Sequence, residues 1–193
     1  MASELNWMEG ANPPAEPLDV LALVIYVPEP LGSFLDELRR ELVPQYDPHA
    51  HVSLLPPRTL PVSWQVASEA AGKLIACRPP FDIELTEVSV FPVTGVVYLE
   101  VGEGGGELRQ MHAAMNATAL GFPEPFVYHP HVTLAQEIPP GTVEAVRELA
   151  ARRWREYPGQ RRFRAERAVL VQNTSNNSWI DLRECALGTA AAT

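Results

Sequence analysis

Apolar and polar positions alternate along this chain in a pattern that predicts short strands and amphipathic helices in succession. The predicted strands cover residues 19–27, 50–55, 81–91, 96–101, 131–136, 163–171 and 179–182. The predicted helices cover residues 31–42, 63–74, 108–121 and 143–154. We expect Pro56 and Pro57 to close the second strand, and Gly104–Gly106 to form a flexible connection. Four helices and about seven strands favour the α+β class with mainly antiparallel pairing.

The length and composition suit one folded domain. The chain has 193 residues, 46% of them hydrophobic, which is enough for a substantial core. Residues 1–17 are rich in proline and lack periodicity, and residues 187–193 are mostly small. We therefore predict flexible tails at 1–17 and 187–193, with the folded domain at 18–186.

The charge balance argues against extensive binding of long nucleic acids. With 15 basic and 24 acidic residues, the formal net charge is −9, whereas proteins that bind long nucleic acids usually carry a basic surface. Eight arginines fall between Arg147 and Arg167, so any positive patch is local. A small anionic ligand is therefore expected rather than a long or structured RNA.

The expected setting is the cytoplasm. The two cysteines, Cys77 and Cys185, have neither disulfide-framework nor metal-site spacing, which favours a reducing compartment. The early apolar run at 20–27 is too short to cross a bilayer and has no basic residue before it. We expect neither secretion nor membrane association, and we expect a monomer.

One tetrapeptide pattern occurs twice. His51-Val52-Ser53-Leu54 and His131-Val132-Thr133-Leu134 both read histidine, apolar, hydroxyl, apolar, and they lie 80 residues apart on predicted strands. Because side chains alternate across a strand, each histidine and hydroxyl should share one face while the apolar pair enters the core.

Two imidazoles and two hydroxyls suit phosphodiester chemistry. One histidine can take a proton from the attacking oxygen while the other gives a proton to the departing oxygen. The hydroxyls of Ser53 and Thr133 can donate hydrogen bonds to the non-bridging phosphate oxygens. This scheme needs neither a metal nor another cofactor.

The paired motifs resemble those of the 2H phosphoesterase superfamily, which includes the bacterial 2′-5′ RNA ligase-like proteins and the cyclic phosphodiesterases. The resemblance spans roughly residues 18–186 and extends to Leu55-Pro56-Pro57 after the first motif and Pro130 before the second. It implies two pseudo-symmetric lobes whose antiparallel sheets flank a central cleft, with helices outside. It also implies that His51 and His131 are the acid/base pair and that Ser53 and Thr133 bind phosphate.

Other residues near the motifs are weaker candidates. Arg58 could reach a phosphate at the cleft mouth, and Tyr128 could stack on a base, although each is equally explained by surface exposure or packing. His49 and His129 lie two residues before the motif histidines; they suggest either supporting roles or a histidine-rich metal site. Tyr26, Tyr98 and Trp179 are expected in the core, and His112 has no partner that the sequence identifies.

The sequence thus predicts a metal-independent phosphoesterase acting on a cyclic or 2′,5′-linked phosphodiester of a small nucleotide or RNA end. The motifs alone leave open which histidine is the acid. Two other classes remain: a module that binds a nucleotide or RNA end without turnover, and a metal-dependent hydrolase using the four motif-region histidines. The superfamily name also leaves ligation open.

Overall fold

Amphipathic segments separated by prolines and glycines form four α-helices and eight strands among residues 15–44 and 49–188, the parts of the chain that this computed structural model describes. The strands are β1 (Pro17–Tyr26), β2 (His51–Arg58), β3 (Phe81–Val90), β4 (Val97–Val101), β5 (His131–Ala135), β6 (Arg162–Ala165), β7 (Arg167–Thr174) and β8 (Trp179–Ala186). The helices are α1 (Leu31–Leu42), α2 (Trp64–Ala76), α3 (Gly105–Asn116) and α4 (Val143–Glu156), with a short 3-10 turn at Pro140–Thr142.

The strands form one antiparallel sheet in the order β6-β3-β4-β5-β2-β1-β7-β8. Its two four-stranded halves meet at the centre, where β2 pairs with β5 through Val52 and Val132. The α+β class with antiparallel pairing and two pseudo-symmetric halves is confirmed. The two expected sheets are continuous with each other at this central pair of strands.

A pseudo-twofold relation connects the halves. β1-α1-β2-α2 and β4-α3-β5-α4 occupy equivalent places, with β2 and β5 side by side. α1 and α4 pack on the half that contains β5 and β3, whereas α2 and α3 pack on the half that contains β2, β7 and β8. Residues of all four helices join the sheet in one core, so the helices cover the same face, and among the described residues no helix covers the opposite, open face.

The burial of side chains follows this division. The main core lies between the helices and the sheet and includes Leu23, Ile25 and Leu99. A smaller apolar group on the open face contains Val24 and Val169, with Tyr26 and Trp179 packed against it. The open face is thus where polar groups of the sheet can meet a ligand. None of the helices in the described residues is long and apolar enough to cross a membrane.

Two proline and glycine expectations were wrong. Pro56 and Pro57 do not end β2, which continues to Arg58. Proline is tolerated there because Pro56 and Pro57 lie between Leu55 and Arg58, where the register of β2 against β1 shifts, and such bulges accommodate residues without an N–H group. Gly104–Gly106 is not a loose linker: Gly104, at φ +83°, is the N-cap of α3, where a side chain would collide with the Asp82 carbonyl.

The predicted strand at 163–171 is two strands. The chain leaves the edge of one half after β6, passes through Glu166, and enters the other half as β7 beside β1. The predicted tail residues 1–14 and 189–193 lie outside the described residues. Pro17 begins β1, and Leu187 is buried with its N–H donating to the Glu166 carbonyl.

Candidate active site

The two repeated tetrapeptides lie side by side. β2 and β5 pair antiparallel with Val52 opposite Val132, so continuing this register by one residue places His51 beside Thr133 and Ser53 beside His131. Directly opposed side chains have Cβ atoms about 4.5–5.5 Å apart and share a face. The four predicted site residues are therefore neighbours, with each histidine next to the other motif's hydroxyl.

The alternating apolar residues are buried on the helix side. Val52, Leu54, Val132 and Leu134 are all 0% exposed. The same alternation leaves the histidines and hydroxyls partly exposed on the open face. Burial of the valines and leucines thus fixes which way the reactive groups point.

Each motif histidine makes an equivalent hydrogen bond to the carbonyl oxygen two residues before it. Nδ1 of His51 lies 2.8 Å from the carbonyl oxygen of His49, and Nδ1 of His131 lies 2.7 Å from the carbonyl oxygen of His129. Because a carbonyl only accepts, Nδ1 carries the hydrogen in each ring. Nε2 is then the nitrogen left to exchange a proton with a ligand.

Burial lowers the pKa of both histidines. Burial lowers the pKa of His51 to about 4, and the Arg39 guanidinium acts in the same direction, while the His49 carbonyl opposes both. Burial also lowers the pKa of His131, against the raising effects of the His129 carbonyl and of Glu100. Both rings are therefore neutral in the unliganded protein near pH 7.

Aromatic rings surround the histidines. The Tyr26 ring meets the His51 ring edge-on, with centroids 6.4 Å apart. Phe91 and Tyr98 stack on each other and meet the His131 ring edge-on at 5.0 and 5.2 Å. These contacts restrict the orientation of both imidazoles. Tyr26 and Trp179 each pack against the smaller apolar group on the open face, and Tyr98 is buried as expected.

A carboxylate borders the second histidine. Glu100 lies opposite His131 in the β4–β5 register; its Oε2 is 2.7 Å from His129 Nε2, and its Oε1 accepts from the Tyr98 hydroxyl at 2.9 Å. Glu100 was not among the candidate residues that the sequence suggested. Its position on β4, two residues after Tyr98, carried no signal until the strand pairing was known.

A cavity of about 570 Å³ opens beside the motifs. Ser53, His131 and Thr133 line it together with apolar side chains such as Phe122 and Phe126. Phe126 and Val127 are 59% and 94% exposed. The cavity thus joins a polar centre to an apolar wall.

Arg58 lines this cavity, but its guanidinium is occupied. It donates to the carbonyls of Pro56 and Leu120 and to the Asn116 side chain, and it forms an ion pair with Glu124. Its side chain is 1% exposed. Of the two interpretations of Arg58, the solvated surface arginine is wrong, because the side chain is buried and anchors the segment before the second motif.

Tyr128 also joins the two motifs. Its hydroxyl donates to the Ser53 carbonyl at 2.9 Å, and its ring stacks on His112 with centroids 3.8 Å apart. The sequence identified no partner for His112, but its Nδ1 is 2.9 Å from the Leu54 carbonyl oxygen and its Nε2 is 3.2 Å from Glu124. Only the tertiary fold brings together these residues, which are distant in sequence.

The other two histidines point to different partners. His49 is largely exposed and lies 3.8 Å from Asp36, whereas His129 is bonded to Glu100. Among the described residues, no three or more His, Cys, Asp or Glu side chains are grouped so that they could hold a metal ion.

The arginines between Arg147 and Arg167 are largely paired with acids. Five of them contact carboxylates: Arg147, Arg153, Arg162, Arg164 and Arg167. Arg164 and Arg167 border a hollow of about 330 Å³ that Asp181 and Glu184 also line, so it carries both signs of charge. The cluster therefore does not form a separate basic surface.

The sequence matches the 2′-5′ RNA ligase superfamily over residues 27–177. The chain belongs to this superfamily. The match covers both motifs and most of the described fold, so the resemblance to 2H phosphoesterases is confirmed. Membership supports an activity of phosphoesterase or ligase type on nucleotide substrates. No curated protein matches the sequence significantly.

Solved structures with this superfamily fold align with nearly the whole chain. TT0787 of Thermus thermophilus has a TM-score of 0.63 at 17% identity, covering 88% of this chain and 98% of its own. Escherichia coli LigT complexed with 3′-AMP has a TM-score of 0.56 at 18% identity, covering 90% and 98%. Kluyveromyces marxianus Usb1 with uridine monophosphate has a TM-score of 0.50 at 13% identity, covering 88% and 98%. At these identities the likeness concerns the fold.

Proposed function

We propose that this superfamily member is a metal-independent phosphoesterase acting on a cyclic or 2′,5′-linked phosphodiester of a small nucleotide or RNA end. The observation that carries the proposal is the register of β2 and β5, which places two imidazoles and two hydroxyls together beside a cavity. The nucleotides bound by LigT and Usb1, 3′-AMP and uridine monophosphate, support a ligand of this class.

The reaction needs one proton acceptor and one proton donor. In hydrolysis of a 2′,3′-cyclic phosphate, one histidine takes a proton from water as the water oxygen bonds to phosphorus. The other protonates the ribose oxygen as its bond to phosphorus breaks, leaving a phosphomonoester. The Nδ1 hydrogen bonds of His51 and His131 leave Nε2 available for both tasks.

The two hydroxyls suit the phosphate oxygens. Ser53 and Thr133 flank the histidines on the same face, where they can donate to the non-bridging oxygens. A hydrogen bond to a charged acceptor contributes about 1.5–3 kcal/mol to binding. It stabilises the transition state further if negative charge develops on those oxygens.

Binding of the substrate favours protonation of the histidine that acts as general acid. Both histidines are neutral before binding because burial lowers their pKa. A phosphodiester anion raises the pKa of each neighbouring imidazole, so one ring becomes protonated in the complex. The plot of rate against pH should then be bell-shaped. The rate falls at low pH because the general base becomes protonated, and it falls at high pH because the general acid loses its proton.

The cavity favours a small substrate. Its volume of about 570 Å³ lies within the range of about 300–1,000 Å³ found for small-molecule sites. The apolar part of its lining can receive a nucleobase, and Arg58, which also lines it, is already paired with Glu124. A nucleotide or RNA end therefore fits better than a chain with many phosphates.

The test is an assay of chelator-treated protein against nucleoside 2′,3′-cyclic phosphates, 2′,5′-linked dinucleotides and the matching ligation substrates. We expect hydrolysis, with a loss of at least about a hundredfold in kcat for His51→Ala and His131→Ala in proteins with unchanged circular dichroism. Full activity in either variant would refute the proposal.

The assay also separates the alternatives. Binding of a cyclic nucleotide without conversion would identify a binding module. Loss of activity on chelation, recovered by a divalent metal and abolished in His49→Ala, would identify a metal-dependent hydrolase. Joining of RNA ends instead of hydrolysis would identify a ligase.

A further inference from the structure

We infer that Glu100 is a positioning residue that makes His131 the general acid and leaves His51 as the general base. This inference rests on the proposed function, because it assigns roles within that reaction. Glu100 does not contact the reacting atoms in the proposed scheme; it acts on His131 through its charge and through His129.

The pseudo-twofold relation shows that equivalent positions beside the two motif histidines hold different residues. Each motif histidine has an outer strand beside it: His51 lies opposite Tyr26 on β1, and His131 lies opposite Glu100 on β4. The same position therefore holds a phenol in one half and a carboxylate in the other. Because the backbone arrangement of the two histidines is otherwise alike, this difference distinguishes them chemically.

Glu100 is held in place by two partners. Its Oε2 is 2.7 Å from His129 Nε2, and its Oε1 accepts from Tyr98 at 2.9 Å. The carbonyl of His129 in turn accepts from His131 Nδ1 at 2.7 Å. With 26% of the side chain exposed, the carboxylate is only partly screened by water. It therefore both orients the histidine and favours its protonated form.

The groups around the two histidines differ in sign. Around His131 are Glu100 and Tyr98 from β4 and His129 from the segment before β5, with Ser53 and His51 from β2. Glu100 raises the pKa of His131, opposing the effects of burial and of His129.

The groups that shift the pKa of His51 through their charge are all basic. Arg39 from α1, His49 before β2 and His131 from β5 each lower the pKa of His51. The Tyr26 hydroxyl facing it donates to Asp181 at 2.7 Å. A proton brought to the pair by an anionic substrate is therefore favoured on His131, and His51 stays neutral to accept one from water.

The cavity supports the same assignment independently. Among the described residues that line it, His131 and Thr133 are present and His51 is not. In a 2′,3′-cyclic phosphate the leaving oxygen belongs to the nucleoside itself, so a nucleoside in this cavity places its leaving oxygen near His131. Water then attacks phosphorus from the side of His51 and transfers a proton to His51. His131 transfers its proton to the ribose oxygen that leaves phosphorus.

Glu100→Gln tests this assignment, with the pH profile of kcat/KM for a nucleoside 2′,3′-cyclic phosphate and an NMR titration of both histidines. An opposite charge at short range changes a pKa by about 1–3, and partial exposure places Glu100 near the lower value. We expect the high-pH limb to move down by about one pH unit, with about tenfold lower activity at pH 8. The pKa of His131 should fall similarly while that of His51 stays.

Two further variants control for charge and for folding. Glu103→Gln removes the same charge from a carboxylate that is paired with Arg162 outside the site, and it should leave both limbs in place. Glu100→Asp keeps the charge, so it should retain the high-pH limb even if KM rises. A purely structural role of Glu100 would instead lower activity equally at every pH.

Other outcomes would overturn the inference. A shift of the low-pH limb would mean that Glu100 acts on the base, and an unchanged pKa of His131 would mean that its charge does not matter. If the wild-type protein turns over none of the phosphodiesters, the proposed function fails. In that case the NMR titration still decides whether Glu100 sets the difference between the two histidines.

Discussion

The segment between α3 and the second motif depends on a buried ion pair, and Arg58→Met tests this dependence. The Arg58 side chain is 1% exposed and that of Glu124 is 15% exposed. Methionine fills similar space but offers no donor, so the variant leaves the Glu124 carboxylate, the Asn116 side chain and the Leu120 carbonyl without the guanidinium.

The magnitude follows from the burial of the charge that remains. Removing one partner of a buried ion pair costs about 3–5 kcal/mol, mostly because the other charge stays desolvated. His112 remains 3.2 Å from the second Glu124 oxygen and offsets a part of this. We therefore expect a loss of about 3 kcal/mol in the free energy of unfolding, which lowers Tm by roughly 6–12 °C for a domain of this size.

Urea unfolding followed by tryptophan fluorescence and circular dichroism measures this loss. Arg167→Met is the matched control, because Arg167 and Glu184 are both more than half exposed and should contribute less than about 1 kcal/mol. The double variant Arg58→Met/Glu124→Leu should recover most of the lost stability, since no buried charge is left over. Arg58→Met within about 1 kcal/mol of wild type would refute the buried-pair reasoning.

Two other predictions concern the motif residues. Ser53→Ala and Thr133→Val should each lower kcat/KM about tenfold or more, because each removes one hydrogen bond to the charged phosphate; wild-type kinetics would exclude phosphate binding by that hydroxyl. The pKa of His51 is about 4 in the folded protein and 6.5 unperturbed. The unfolded chain therefore takes up the proton first, and the stability from neutral His51 is lost as pH falls from about 6.5 to 4. His51→Gln should remove on the order of 2 kcal/mol of this pH dependence, given a partly solvated ring; an unchanged dependence in urea titrations would contradict it.

The elements of the fold were largely predictable because they reflect local patterns. The apolar periodicity of 31–42 and the alternation at residues 81–85 are properties of short stretches of chain, and both give the expected elements. The elements that differed from prediction depended on the strands beside them. The prolines after Leu55 continue a strand because they lie where the β1–β2 register shifts, and the run at 163–171 breaks because its two parts pair in opposite halves of the sheet.

The sequence alone predicted which residues make up the candidate site and the face on which they lie. His51, Ser53, His131 and Thr133 became candidates because strand alternation separates them from the valines and leucines that the structure buries. Only the tertiary structure decided their arrangement. The pairing of β2 with β5 sets each histidine beside the other hydroxyl, and the pairing of β4 with β5 sets Glu100 beside one histidine. Strand register depends on contacts between residues far apart in the chain, so no local pattern could distinguish the two histidines or bury Arg58 against Glu124.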